Sequence, residues 1–312
     1  MRKIIIDTDC GSDDAVAIAM ALNDSGFEIL MFTTVTGNVR VDQAIANTLT
    51  VMKETGTYYP PVYRGSDEML KREWAGAHKE HGNDGMGDLD LVDYSLKASE
   101  GDAVDKILEA LRNHEDRQID IITLGPLTNI ARAIMRDPET MKKVNRIIMM
   151  GSSGLGPGNV TPTAEFNVWQ DAEACKVVLE SGIEPLIFVG WDACLEEAML
   201  NPEEIETIRK SGPLGKFCMD INRALMLLNK ERFHDYYLDM ADPAAMAAAL
   251  YPECIDVCDR YYCEVDVSEK ETYGTLYVDR DRHTGKQANA YICSKLKAQL
   301  FKNYLYRQLK VK

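Results

Sequence analysis

The amino-acid sequence predicts an α/β protein: an open, mostly parallel, Rossmann-like sheet with helices on both faces, plus a small β-hairpin and a C-terminal helix. Two observations carry this expectation. Short runs of β-branched residues alternate with segments of helical period, and acidic or glycine-containing motifs recur where those runs end, as in sheets whose strand carboxyl ends form a ligand crevice. The predicted strands are Lys3–Ile6, Ile29–Val35, Ile119–Leu124, Arg146–Met150 and Pro185–Val189. Their apolar character is that of parallel strands covered on both faces. The predicted helices between them are Val41–Thr55, Asp102–Asn113, Leu127–Arg136 and Asp171–Glu180. After Pro252, Cys263–Val267 and Thr275–Val278 read as the hairpin, and a closing helix runs from about Ser294 to Leu309. Segments 65–94 and 211–240 look like lid-like excursions over a site. No internal repeat or low-complexity linker divides the chain, so residues 1–312 are expected to form one domain.

Composition narrows the function classes. A formal charge of −15 gives no basic footprint, which argues against a nucleic-acid partner and suits a small neutral ligand. No run reaches the ~18 apolar residues of a membrane span. The N-terminus passes from Met1-Arg2-Lys3 directly into a strand, without the apolar stretch of a secretory signal, so a cytoplasmic location is expected. Eight cysteines in such a chain are expected to be reduced thiols. Cys254, Cys258 and Cys263 cluster without the spacing or His partners of a zinc site.

The most informative segment is the turn after the first strand, where Asp7, Asp9, Asp13 and Asp14 fall within eight residues. Like charges this close raise one another's pKa unless a cation or several donors hold them ionised. Helix capping accounts for one or two of the four, since Ser12 or Asp13 can cap the helix that opens at Ala15. Carboxylates without Cys or His partners favour a hard ion such as Ca2+ or Mg2+. The spacing is not that of an EF-hand: no Glu stands at the twelfth loop position.

The turn Asp7-Thr8-Asp9-Cys10-Gly11-Ser12-Asp13-Asp14 resembles the signature of the calcium-dependent nucleoside hydrolases of the inosine-uridine-preferring type. Further blocks match in order: Thr36-Gly37-Asn38, His81 to Gly87, Leu124 to Asn129, Gly158 to Asn167, and Asp242-Pro243. The resemblance implies hydrolysis of the N-glycosidic bond of ribonucleosides by a homodimer or homotetramer. It implies Asp9, Asp14, Asp242 and the backbone carbonyl at Leu124 as ligands of Ca2+, Asp13 as the general base acting on a water, and Asp7 orienting these groups from behind. Asn38, Asn159, Glu165 and Asn167 would hold the ribose; the alternative for Asn38 and Asn159 is turn formation after Gly37 and Gly158.

The sequence also departs from its relatives. Many carry His immediately before the Asp of the Asp-Pro pair, where this chain has Ala241. His81, in its matching block, and His234, on the second lid-like segment, are the remaining candidates for assisting the departing base. Cys10 stands in the signature beside four carboxylates and is expected to be a poor nucleophile with a packing role. Two other functions compete with the favoured one. The run into Asp7-x-Asp9 is also similar to the nucleophile motif of haloacid-dehalogenase-type phosphatases, with Asp7 attacking in a Mg2+-dependent reaction. Ala241 leaves room for a nucleoside- or ribose-binding protein that has lost catalysis.

Overall fold

A computed structural model describes residues 1–310 of the chain. Its strands are β1 (Arg2–Thr8), β2 (Phe27–Thr34), β3 (Val62–Arg64), β4 (Ser99–Asp102), β5 (Ile119–Thr123), β6 (Arg146–Met150), β7 (Leu186–Val189), β8 (Ile255–Val265), β9 (Leu276–Asp279) and β10 (Ala290–Leu296). They form one sheet in the order β4-β3-β2-β1-β5-β6-β7-β10-β8-β9. All pairings from β4 to β10 are parallel; β8 and β9 add antiparallel neighbours at one edge.

Alternation of side chains explains why the central strands are apolar throughout. Ile4 and Ile6 of β1 enter one core, with Ile122 and Ile148, while Ile5 enters the other, with Ile121 and Ile147. The first core is closed by the helices Ser12–Asn23, Ala241–Leu250 and Ala298–Leu309. The helix Ala241–Leu250 is buried at nearly every position, and its alanines let it lie directly against Ser12–Asn23. The N-termini of these two helices, which carry Asp13, Asp14 and Asp242, are thereby brought together.

The strand order reverses beside β1. From β1 the chain moves outward through β2, β3 and β4, then returns to place β5 on the other side of β1. The carboxyl ends of β1 and β5 flank this switch point, where open α/β sheets bind their ligands.

Several expected elements are revised. The closing helix begins at Ala298, because Ser294–Leu296 belong to β10, which inserts between β7 and β8. The hairpin is longer than expected, since β8 already begins at Ile255. Segment 211–240 is mostly helical, with helices Pro213–Asp220 and Arg223–Phe233, whereas segment 65–94 contains only the short helix His78–His81. Among the described residues no helix is long and apolar enough to cross a membrane.

Phe301, fully buried in the closing helix, joins that helix to the first core. Phe301→Ala is expected to cost about 3–5 kcal/mol, read as a lower urea midpoint. An unchanged midpoint would place the closing helix outside the cooperative unit.

Candidate active site

Strand β1 delivers Asp7 to its own carboxyl end, and the turn that follows carries Asp9 into the first helix. Asp7 is fully buried, and its Oδ1 accepts hydrogen bonds from Thr33 Oγ1 on β2 and from Asn129 Nδ2 at 2.8 Å. Burial pushes its carboxyl up to about 7 against the effect of those donors. Asp7 does not line the cavity described below; it ties β1 to β2 and to the helix Thr128–Arg136 behind the turn.

Asp9 Oδ2 accepts the backbone N–H of Asn38 at 2.6 Å. The approach leaves no room for a side chain at Gly37, where a Cβ would lie 2.1 Å from Asp9 Oδ2, or at Gly125, where it would lie 2.6 Å from Oδ1. Asp14 Oδ1 accepts from Thr8 Oγ1, and its Oδ2 from Gly11 N at 2.9 Å and Asn38 Nδ2 at 3.1 Å. Asp242 meets this group from the opposite helix: ligand atoms of Asp13, Asp14 and Asp242 all lie within 4.8 Å of one another.

Burial, then the charge of Asp14, raises the Asp9 carboxyl well above the ordinary range; burial, then Asp13 and Asp14, does the same for Asp242. Asp13 is pushed up to about 6 by burial, with His81 pulling in the other direction. Asp9 Oδ1 and Asp13 Oδ1 are buried without a hydrogen-bond partner. A buried oxygen is rarely left unpaired. Carboxylates converging from the turn after β1 and from the helix Ala241–Leu250, two of their oxygens unpaired, fit a hard divalent cation, and the donor set of Asp9, Asp14 and Asp242 is of that type.

Of these residues, Asp13 and Asp242 form the floor of a cavity of about 620 Å³. Asn38, Leu124, Asn159, Glu165 and Asn167 line it. The Leu124 carbonyl accepts from Asn167 Nδ2 at 2.7 Å, leaving one lone pair for another partner. Glu165 caps the short helix Phe166–Gln170, taking N–H groups from Asn167 at 2.8 Å and Val168 at 3.3 Å, and also holds Ser152 N at 2.9 Å. Burial raises it to about 7. Asn159 Oδ1 accepts Phe166 N at 2.9 Å, so both side chains also organise the loop.

His81 lines the cavity and is buried, with Nδ1 at 2.9 Å from Ser12 Oγ and 3.7 Å from Asp13 Oδ1. Ser12 N–H also donates to Nδ1, at 3.3 Å. When Nδ1 accepts this bond the ring is neutral with its proton on Nε2, whereas the pull on Asp13 belongs to the protonated ring. His234 is not brought to the site: it is exposed at the end of Arg223–Phe233, in the left-handed region with φ 64°, and is not among the cavity residues.

Sequence reasoning missed Asp239. It is buried, lines the cavity, and accepts from Trp191 Nε1 at 3.0 Å and from Asn229 Nδ2 at 2.5 Å. Trp191 is therefore part of the cavity wall as well as structural. The available signal was the close spacing of Asp239 and Asp242 across Ala241. Cys10 packs as expected: it is fully buried, and burial followed by the charge of Asp14 drives its thiol upward.

The family model for the inosine-uridine preferring nucleoside hydrolases matches residues 4–303. The chain belongs to this family. It is accordingly a nucleoside hydrolase, and the phosphatase expectation built on Asp7 as nucleophile is withdrawn; the burial of Asp7 behind the turn agrees with that correction. An uncharacterized protein of Schizosaccharomyces pombe is 43% identical over 190 residues, a match spanning 61% of each chain. The pyrimidine-specific ribonucleoside hydrolase RihB of Escherichia coli (strain SE11) is 33% identical over 93% of this chain and 91% of its own. The solved structure of a plant nucleoside hydrolase, PpNRh1, superposes with a TM-score of 0.91 at 27% identity, covering 100% of this chain and 99% of that one.

The raised carboxyls give a pH test. Their native pKa values exceed the unfolded ones, so the cation-free native state holds protons that the unfolded chain releases, and this cluster's contribution to stability falls as pH rises from about 4 to about 7. A divalent cation binds the ionised cluster. Its stabilisation is therefore expected to be small near pH ~5 and to reach about 2.7 kcal/mol near pH ~7.5 at a hundredfold excess over Kd, read by thermal unfolding. A cation effect independent of pH would show that the ion binds elsewhere.

Proposed function

We propose that the protein splits the N-glycosidic bond of ribonucleosides into free base and ribose, with Asp13 as general base and Ca2+ as the cation. The convergence of Asp13, Asp14 and Asp242, with Asp13 and Asp242 on the floor of an amide-lined cavity, carries this reading. Ca2+ would be held by Asp9, Asp14, Asp242 and the Leu124 carbonyl. When bound, it supplies a counter-charge to the cluster, lowers the pKa of water and orients ribose hydroxyls.

The reaction develops positive charge on the ribosyl ring as the base departs, and a water must arrive on the opposite face. Asp13 lies at the cavity with its Oδ1 unpaired, and its carboxyl near 6 suits proton abstraction at neutral pH. Asn38, Asn159, Glu165 and Asn167 would hold the sugar. For Asn159 the free group is the amide nitrogen; for Glu165 it is a remaining lone pair. Asp7 acts by orientation alone, fixing the end of β1 through Thr33 and Asn129. His81, with its proton on Nε2, is the candidate that faces the departing base, and the exposed His234 has no part in the reading.

Segments 65–94 and 211–240 act here as covers on one domain, a role supported by Ala75, Ala77, Leu225 and Leu228 on the cavity wall. Base preference resides in these covers, and the pyrimidine specificity in RihB's name describes RihB. A cytoplasmic location is supported by eight free cysteines, as in a reducing compartment. A homodimer or homotetramer completes the reading on the strength of the family resemblance, and light scattering of the purified protein decides it.

The deciding assay is release of base and ribose from inosine, adenosine, uridine and cytidine, after chelation and again with Ca2+ restored. Ca2+-dependent release is expected. Intact ribonucleoside binding without release from any of the four would favour the silent binder suggested by Ala241. Asp13→Asn is expected to lower kcat by about 10²–10⁴-fold with the cation retained; near-normal turnover would remove Asp13 as base. Asp242→Ala is expected to abolish Ca2+ uptake in equilibrium dialysis, and unchanged uptake would remove Asp242 from the ligand set.

A further inference from the structure

On the antiparallel side of the sheet, β10 and β8 set two cysteines directly opposite each other: Cys293 is the cross-strand partner of Cys258. Directly opposed residues of an antiparallel pair share a face of the sheet, with Cβ atoms about 4.5–5.5 Å apart. The Cα separations of such pairs, about 4.5 or 5.5 Å, fall within the about 4.4–6.8 Å that a disulfide spans. All eight cysteines are free.

The pair is also chemically asymmetric. Cys293 is fully buried, whereas Cys258 is half-buried. The neighbouring Cys293 thiol holds Cys258 below the usual thiol range, while Cys293 itself is raised by Cys258 and by burial. Burial raises Cys175, Cys194, Cys218, Cys254 and Cys263, and Cys10 is raised as described above. Cys258 is thus the thiol combining access with thiolate character, the two properties that select a cysteine for oxidation.

We infer that Cys258 and Cys293 form a peroxide-responsive dithiol that closes to a disulfide between β8 and β10. The Cys258 thiolate attacks one oxygen of hydrogen peroxide; the O–O bond breaks, giving the sulfenic acid at Cys258 and, after protonation, one water. The Cys293 sulfur then attacks the Cys258 sulfur: the S–S bond forms, the S–O bond breaks, and a second water leaves with the Cys293 proton. Two thiols lose two electrons to one peroxide. The crosslink lies one hydrogen bond from the cavity wall, because the Cys293 carbonyl accepts Gly190 N at 3.0 Å and Gly190 leads into the turn that carries Trp191.

The test is intact-mass and peptide mapping of the reduced full-length protein after treatment with one equivalent of hydrogen peroxide. The expected result is loss of two hydrogens per chain, reversed by dithiothreitol, with one crosslinked peptide joining Cys258 to Cys293. Cys258→Ser is expected to abolish the loss, and Cys293→Ser to leave a sulfenic acid at Cys258 that dimedone traps. Three outcomes would overturn the proposal in the wild-type protein itself: no mass change, added oxygen at Cys258 without a crosslink, or a bridge from Cys254.

Discussion

The geometry of this protein is organised around an electrostatic conflict: carboxylates gathered where water is excluded. Asp9, Asp14 and Asp242 are almost completely buried, and Asp13 nearly so, with two of their oxygens unpaired. Burying one unpaired charge costs several kcal/mol, and gathering like charges adds repulsion. The surroundings offset part of this. Thr8, Gly11 and Asn38 donate to Asp14, the Asn38 backbone donates to Asp9, and Asp13, Asp14 and Asp242 sit in the first turns of two helices whose positive ends point at the cluster. The remainder falls to protons or to a cation, which is how a structural cost becomes a binding site.

That conflict explains features otherwise lacking a cause. The helix Ala241–Leu250 is built of alanines because its N-terminus must approach that of Ser12–Asn23 closely enough for Asp242 to reach Asp14. Gly37 and Gly125 keep the backbone against Asp9, where any side chain would collide. Asp7, further back, is a different solution to the same problem. Having Thr33 and Asn129 as donors, it serves as the tie between β1, its neighbour β2 and the helix after β5, so the turn it precedes is held on three sides.

The sheet was legible because its strands announce themselves locally. Ile4–Ile6 and Ile147–Met150 are apolar at every position, a pattern that needs both faces covered. β10 was not legible: Cys293, Ser294 and Lys295 carry no such pattern, and the strand exists because β7 and β8 supply hydrogen bonds from distant parts of the chain. The same division holds at the site. The carboxylate turn is contiguous in sequence and could be read directly. Asp239 could not, since its meaning depends on Trp191 and Asn229 arriving from two other segments. His234 failed in the opposite sense, because a helix end with left-handed φ turns it away from the cavity that its neighbours line.

With Ala241 where relatives carry His, the proposed reading assigns help for the departing base to His81. An alanine side chain offers neither a proton nor a hydrogen bond, and the carboxylates of the floor are acceptors when ionised. His81, beside Asp13, has Nδ1 engaged by the backbone N–H of Ser12, which leaves Nε2–H as its donor. Ser12 belongs to the same helical turn as Asp13 and Asp14, so the base-side donor and the water-side acceptor are referenced to one rigid element. Their relative placement then depends little on how the covering segments move. In the proposed reading the covers vary with the base to be accommodated while the reacting atoms keep their positions.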